Sequence, residues 1–330
     1  MNILLLQLKR IGDLILTTPA IAAVRAKFPQ ADISLVVAAG TRELLPAMQG
    51  IDHAFVASWF KITRRKYDYC VDFTHSDRSA FLTLLSGART RITSEHAKRQ
   101  SKMRALTYNR FAQSSLRQSH TVDHYLALVE PLGIHDAAPA LQLDLPSSAL
   151  AEADRVLSEN NIRDDFVLLH PGSARIEKFW EAERWAELIA FAARENLPCL
   201  VTAGSSPLEQ SHFAQIKAAS AAPFINLSGQ LALLTLAALI KKARLLVTID
   251  SAPMHFAAAT QTPQVVLFGP TNPLHWRPRF SPSLILQAGA RAPLTEFSPD
   301  QKRAAMNLIS TEQVIDGMKT LLATPRGAPL

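Results

Sequence analysis

The strongest constraint on the fold is a regular alternation of short apolar runs with longer segments of helical periodicity. Residues 3–8 form an almost continuous apolar run, typical of a buried parallel strand, and residues 14–28 carry apolar side chains at helical spacing. Residues 33–37 are a second apolar run, and the same order recurs at residues 69–73 and 79–85. The first half therefore predicts a doubly wound α/β domain.

The alternation restarts after a basic segment that contains little glycine. A helical segment at 147–160 leads into the apolar run 166–169, and three more helix–strand pairs follow it. We therefore expect an N-terminal domain at residues 1–150 and a C-terminal domain at residues 151–330. Two such domains would face a cleft at the carboxyl ends of their sheets, where ligands bind in open α/β folds.

Length and composition limit the classes of protein to consider. The 330 residues are 48% hydrophobic, which is enough for two domains with apolar cores. No apolar run reaches the roughly 20 residues of a spanning helix, and Lys9 and Arg10 follow the first run, whereas a signal peptide has its basic residues first. Cys70 and Cys199 lie in strand-like runs without metal-ligand spacing. These features predict a cytoplasmic protein.

Positive charge is concentrated in one part of the chain. Residues 61–117 contain 13 Lys and Arg against four Asp and Glu, a net charge of +9, whereas the whole chain carries +7. Such a concentration predicts an anionic partner. Nucleic acid is one candidate, but residues 89–104 contain no Phe, Tyr or Trp that could stack on bases. A solvated surface without a partner is the other interpretation.

The loop after the first predicted strand contains Gly12 and Asp13. Gly12 permits a tight turn, and Asp13 at the helix start would point its carboxylate into the cleft. An ordinary N-cap aspartate explains Asp13 equally well. Since this loop is not GxGxxG, a dinucleotide-binding dehydrogenase loses its main support.

The loops of the second half suggest a bound nucleotide. Gly172 and Ser173 offer backbone N–H groups and a hydroxyl to a phosphate, and Lys178 can neutralise its charge. Glu209, near a helix start, could accept hydrogen bonds from ribose hydroxyls, although favourable placement near the helix dipole is the alternative. Asp250 and Ser251 end a buried strand just before a proline-started helix, so both would converge with that helix N-terminus on one spot.

Four motifs resemble the ADP-heptose:lipopolysaccharide heptosyltransferases of glycosyltransferase family 9, in the family's order and spacing. The motifs are residues 12–14 with 17–21, residues 170–173 with Lys178 and Trp180, residues 250–259, and residues 267–271. The resemblance implies the GT-B fold, with two Rossmann-like domains around a central cleft, the first for the acceptor and the second for the nucleotide sugar. A final helix at 311–322 would pack back on the first domain. Residues 275–278 favour the heptosyltransferase III branch.

The resemblance also implies roles for individual residues. Asp13 would be the catalytic base, Lys178 would hold the donor diphosphate, and Ser173 would be a phosphate-binding hydroxyl. Ala174 departs from members that have a second hydroxyl there. The other donor-binding residues would be Gly12, Glu209 at the ribose, Leu231 at the adenine pocket, Asp250 at the heptose hydroxyls, Ser251, Met254 and His255.

The implied function is an inverting, metal-independent transfer of heptose from ADP-heptose to the anionic inner core of lipopolysaccharide, which contains Kdo and heptose. The chain has no DxD motif that would hold a metal, and no cofactor is expected besides the ADP-sugar substrate. The acceptor would meet Lys61, Arg64, Arg65 and Lys66. Peripheral contact with the inner membrane is expected, and contact with nucleic acid is not.

Three alternatives remain open at this point. A nucleotide-sugar epimerase or a different sugar transferase would use the same fold. A basic nucleic-acid-binding protein would use the segment 61–117 alone. A protein that binds a sugar nucleotide without catalysis is the least specific alternative.

Overall fold

The computed structural model describes residues 1–325, apart from the side chains of Lys98 and Met103. The chain divides into two compact units, Met1–Asp144 and Leu145–Leu330. Within the described residues, each unit contains one six-stranded parallel sheet with helices on it. The predicted α/β class with two doubly wound sheets is thus confirmed.

The first unit alternates strands and helices. Its elements are β1 Asn2–Gln7, α1 Ile11–Leu16, α2 Thr18–Lys27, β2 Asp32–Val37, a 3-10 helix Ala39–Ala47, β3 His53–Val56, α3 Trp59–Thr63, β4 Tyr69–Asp72, α4 Asp77–Leu85, β5 Thr90–Ser94, α5 Glu95–Gln100, α6 Lys102–Thr107, β6 Arg110–Ala112, α7 Thr121–Ala127 and a 3-10 helix Glu130–Leu132. The strands lie in the order β3-β2-β1-β4-β5-β6. Because the chain moves outwards from β1 to β3 and then returns to β4, the strand order reverses between β1 and β4.

The second unit repeats this plan. Its elements are α8 Ser147–Glu159, β7 Val167–His170, a 3-10 helix Ile176–Lys178, α9 Ala182–Arg194, β8 Cys199–Val201, α10 Pro207–Ala219, β9 Ile225–Asn226, α11 Leu233–Lys242, β10 Leu245–Ile249, α12 Ala252–Thr260, β11 Gln264–Phe268, α13 Pro273–Trp276, β12 Ser283–Gln287, a 3-10 helix Met306–Leu308 and α14 Thr311–Ala323. The sheet order is β12-β11-β10-β7-β8-β9. Here the strand order reverses between β7 and β10.

The helix predicted at 14–28 is two helices that meet at Thr17. Pro19 has no N–H to continue the helical ladder, and a proline disfavours helical backbone in the residue before it. The Thr18 hydroxyl donates a 2.8 Å hydrogen bond to the Ile15 carbonyl, which takes the place of the missing N–H. The chain therefore bends between α1 and α2 without leaving this carbonyl unbonded.

Apolar packing holds the final helix α14 to the second unit. Val314, Met318 and Leu321 are buried in the core that β7, β10 and α9 form. Fully buried Trp180 and Trp185 belong to the same core and pack edge to face, with ring centres 5.4 Å apart. This apolar face of the helix is thus used within the second unit, and the expectation that the helix also packs back on the first domain stays a prediction.

In the part of the chain that the structure describes, no helix combines the length and hydrophobicity needed to cross a bilayer.

Gly269 follows β11 and lies against the segment before the last 3-10 helix. A Cβ at this position would lie 2.5 Å from Met306 Sδ and 3.0 Å from the Ala304 carbonyl oxygen. The Gly269 carbonyl also accepts a hydrogen bond from the Ala304 N–H at 3.1 Å. The backbone of Gly269 lies outside the left-handed region, so close approach and not turn geometry requires glycine here.

We expect Gly269→Ala to lower the free energy of unfolding of the second unit by about 1–3 kcal/mol, because the added methyl group forces the two backbone segments apart. Chemical denaturation measures this change. Gly40→Ala is the matched control, since a Cβ there would have no described atom within 4 Å. Equal losses in the two variants would contradict the close-approach explanation.

Candidate active site

The strand-order reversal of the first unit places Asp13 beside Tyr125. Asp13 lies in the first turn of α1, directly after β1, and is partly exposed. Tyr125 on α7 is fully buried, and its hydroxyl donates a 2.8 Å hydrogen bond to Asp13 Oδ1. Burial first, and the Asp13 carboxylate second, raise the pKa of the Tyr125 hydroxyl well above its usual value. This hydroxyl therefore stays protonated and remains a donor to the carboxylate.

Lys9 adds a positive charge to this pair. Its Nζ lies 3.5 Å from the Tyr125 hydroxyl oxygen and 5.5 Å from the centre of the Tyr125 ring. Burial lowers the pKa of Lys9, and the nearby carboxylates of Asp13 and Asp72 oppose this shift. A carboxylate, a phenol and an ammonium group thus lie together, and such a set can accept a proton and stabilise charge.

The loop after β4 is hydrogen-bonded to the loop between β1 and α1, which precedes Asp13. Asp72 is fully buried at the end of β4, and it accepts hydrogen bonds from the Tyr108 hydroxyl at 2.5 Å and the Thr74 N–H at 2.8 Å. Burial raises the pKa of Asp72, against the hydrogen bond from Tyr108. The Leu8 N–H in turn donates to Thr74 Oγ1 at 2.8 Å. These bonds hold the two loops on either side of the reversal in a defined position.

In the second unit, Lys178 and Asp250 form an ion pair across the strand-order reversal. Lys178 ends the 3-10 helix after β7, and Asp250 directly follows β10. Lys178 Nζ donates to Asp250 Oδ2 at 2.6 Å and to the Asp250 carbonyl oxygen at 2.8 Å. The two side chains are only 12% and 9% exposed. Asp250 thus holds the ammonium group through two of its three N–H donors.

Glu209 lies between the loops that follow β7 and β8. Its Oε1 accepts a hydrogen bond from the Gly204 N–H at 3.2 Å, and its Oε2 accepts one from the Ser206 hydroxyl at 2.7 Å. A Cβ at Gly172 would lie 2.5 Å from Glu209 Oε1, and a Cβ at Gly204 would also overlap the carboxylate. A side chain at either position would therefore be accommodated only if the flexible end of Glu209 moved.

Comparison with known proteins decides the family. Residues 56–302 match glycosyltransferase family 9 (heptosyltransferase). The chain belongs to glycosyltransferase family 9. Lipopolysaccharide heptosyltransferase 3 of Escherichia coli (strain K12) is 26% identical to it, over 96% of each chain.

Solved structures of similar fold support the GT-B architecture of this family 9 enzyme. The glycosyl transferase family 9 from Veillonella parvula DSM 2008 has a TM-score of 0.84 at 23% identity, over 97% of both chains. The E. coli ADP-heptose lps heptosyltransferase II has a TM-score of 0.78 at 20% identity, over 98% of both chains.

Two serines of this glycosyltransferase that the sequence predicts to bind the donor, Ser173 and Ser251, form local hydrogen bonds, and their donor contacts stay predictions. Ser173 follows β7 and is mostly buried, and its Oγ accepts the N–H two residues further on at 3.2 Å. Ser251 precedes α12, and its Oγ donates to the Ile249 carbonyl at 3.3 Å. Both residues follow the carboxyl ends of the strands that Lys178 and Asp250 also follow.

Four other residues that the sequence predicts to bind the donor lie on helices or just before one. Met254 is fully buried in an apolar cluster with Val266, and its predicted donor contact stays a prediction. His255, on the same helix, is also buried. Gly12 is the second residue of α1 and has no left-handed φ, so it does not make the predicted tight turn. Leu231 is partly exposed, two residues before α11.

The four basic residues predicted to meet the acceptor lie on and just after α3. Lys61, Arg64 and Lys66 are exposed. Arg65 differs from them because its guanidinium binds both carboxylate oxygens of Asp32, at 3.0 and 3.1 Å. This surface ion pair occupies Arg65, so the other three residues are better placed to meet an anion.

Sequence reasoning missed Lys9 and Tyr125 as members of the site. Tyr125 lies 112 positions from Asp13, and a tyrosine in an amphipathic helix carries no local sign of such a contact. Lys9 gave a weak signal, since it is a basic residue placed directly after a buried strand.

Acid should destabilise the second unit through His170 at the end of β7. Burial lowers the pKa of His170 to about 4, and its Nδ1 lies 2.9 Å from Thr202 Oγ1. The unfolded chain binds the proton near pH 6.5, so stability is complete above that pH and declines as the pH falls towards 4. Between pH 7 and about pH 5, we expect a loss of about 2 kcal/mol in the free energy of unfolding.

Denaturation curves at both pH values test this expectation. His170→Gln, which keeps a hydrogen-bonding side chain, should lose less stability on acidification than the parent. His135→Gln changes an exposed histidine and should behave like the parent. The same pH dependence in all three proteins would exclude His170 as the cause.

Proposed function

We propose that this enzyme transfers heptose from ADP-heptose to the inner core of lipopolysaccharide, in the cytoplasm. The names of the similar proteins support this proposal, and so does membership of family 9. The observation that carries it is the Asp13 carboxylate held by the Tyr125 hydroxyl at the carboxyl edge of the first sheet. The heptosyltransferase III branch is our assignment among the subtypes.

We assign Asp13 as the general base. Tyr125 binds Oδ1, and Oδ2 takes the proton of the attacking acceptor hydroxyl. The acceptor oxygen forms a bond to the anomeric carbon on the face opposite the diphosphate, and the bond from that carbon to the diphosphate oxygen breaks. ADP leaves with the bonding electron pair, so the configuration at the anomeric carbon is inverted.

Lys178 stabilises the negative charge that develops on the diphosphate. Asp250 holds two of its N–H donors, and we assign the third to a phosphate oxygen. Ser173 and the N-terminus of α12 after Ser251 supply further donors. With this positive charge in place and no DxD motif in the chain, the proposed mechanism uses no metal and no cofactor besides the donor.

The remaining donor contacts follow the positions of the loops. Glu209 binds the ribose hydroxyls, Asp250 the heptose hydroxyls, and Leu231 the adenine ring. On the acceptor side, the exposed cations Lys61, Arg64 and Lys66 meet the carboxylates and phosphates of the inner core. Charge complementarity of this kind gives selectivity for the acceptor and speeds its binding.

We expect Asp13→Asn to lower turnover by roughly 10² to 10⁴ while donor affinity changes little, because the amide cannot accept the proton. Rate measurements with ADP-heptose and a purified inner-core acceptor test this. Turnover close to that of the parent would remove Asp13 from the mechanism, and with it the proposed function of the site.

Tyr125→Phe tests whether the hydrogen bond positions the base. Loss of the hydrogen bond to Asp13 Oδ1 should leave the carboxylate less well oriented and lower kcat, while the KM for ADP-heptose changes little. The variant should change nothing further in an Asp13→Asn background. Tyr108→Phe removes a similar tyrosine–carboxylate bond, at Asp72, and should lower kcat less. Equal losses of kcat in both tyrosine variants would indicate a general structural effect.

Lys178→Ala should weaken ADP binding by about 1.5–3 kcal/mol, the range for a hydrogen bond to a charged group. It should also lower stability, because Asp250 is left buried without its cation. Lys242→Ala is the control, since Lys242 Nζ binds Asp154 at 2.7 Å in a more exposed pair of the same unit. Calorimetry that gives the same ADP affinity for both variants would exclude Lys178 from the donor site.

A further inference from the structure

Five large apolar side chains are exposed in one short stretch of the first unit. They are Trp59 and Phe60 on α3, Phe81 and Leu84 on α4, and Leu106 on α6. Trp59 is 63% exposed and Leu106 is 83% exposed. Nine large apolar side chains are exposed in residues 1–325, so more than half of them lie between positions 59 and 106. A concentration of this kind marks an interaction surface.

These side chains belong to one layer of helices. Helix α4 lies beside α3 and also beside α6. Ile62 of α3 and Leu82 of α4 pack into one core cluster, which includes Leu4 and Leu6 of β1. Since the inward sides of α3 and α4 meet the same face of the sheet, their exposed residues point away from that face together. We call the exposed side of α3, α4 and α6 the outer face.

Basic side chains are interspersed with the apolar ones on the outer face. Arg78 of α4 and Lys102 of α6 are exposed, as are the three α3-region cations already described. The Arg64 guanidinium lies 3.9 Å from the centre of the Phe60 ring, so cation and aromatic group form one unit of the surface. Residues 61–117, which contain α4, α6 and most of α3, carry a net charge of +9.

We infer that the outer face docks on an anionic lipid bilayer. Tryptophan and other apolar side chains enter the headgroup region, where an amphipathic ring is favoured, while lysine and arginine bind acidic lipids. The high positive charge disfavours a second copy of the chain as the occupant, because two identical faces would repel each other. The value of docking for catalysis rests on the proposed function, since a lipid-anchored core would be displayed beside the unit that carries Asp13.

Vesicle flotation tests this inference without donor or acceptor, so its failure would leave the transferase proposal intact. The parent should bind vesicles of phosphatidylethanolamine and phosphatidylglycerol, and bind phosphatidylcholine vesicles far less. The triple variant Trp59→Ser, Phe81→Ser, Leu106→Ser should bind at least about tenfold more weakly. Leu308→Ser, at a 56% exposed position of the second unit, should bind like the parent. Circular dichroism verifies that each variant is folded.

Charge and fluorescence provide independent measurements. Arg78→Glu with Lys102→Glu should reduce binding to the anionic vesicles, and salt of about 1 M should do the same for the parent. Trp59 emission should shift to the blue on vesicle addition, and Trp59→Phe should abolish the shift, because Trp180 and Trp185 are already buried and the partly exposed Trp276 lies on α13 of the second unit. Equal vesicle binding by the parent and the triple variant would overturn the inference. A second result would also overturn the inference. This result is that the parent forms a dimer, that the triple variant does not form it, and that the triple variant still binds vesicles.

Discussion

A parallel sheet binds ligands preferentially where its strand order reverses, because the connections after the two strands go to opposite sides and their loops separate. Each unit of this enzyme has one such reversal of strand order. In the first unit, Asp13 follows β1 and Asp72 ends β4. In the second unit, Lys178 follows β7 and Asp250 follows β10, and the ion pair between them spans the reversal. Polar groups are thus gathered at a sheet edge while the strands beneath them remain apolar.

The sequence predicts the fold class well because the central strands are buried on both faces. β1, β10 and β11 are short and mostly apolar, a composition typical of strands that are covered on both faces. The outer strands give no such signal. Thr90–Ser94 and Arg110–Ala112 are short and polar, and the Arg91 side chain donates its hydrogen bonds to nearby carbonyl groups. Only the three-dimensional pairing identifies them as strands.

The candidate site likewise contains residues that the sequence reveals and residues that it does not. Residues at strand ends, such as Asp13 and Asp250, are visible in the sequence because position after a buried strand is itself informative. Their partners are not visible, since Tyr125 reaches Asp13 from a distant helix. Met254 shows a second limit, because it is close to Ser251 in sequence while its side chain packs in an apolar cluster. Proximity along a motif does not give the direction of a helical side chain.

The carboxylate of Glu209 fills space that side chains at Gly172 and Gly204 would need. The three positions therefore form one steric unit, although they come from three separate parts of the chain. A larger residue at either glycine would displace this carboxylate from the Gly204 N–H and the Ser206 hydroxyl that now hold it. We therefore expect these positions to covary among homologues, so that the three residues would change together and not one at a time.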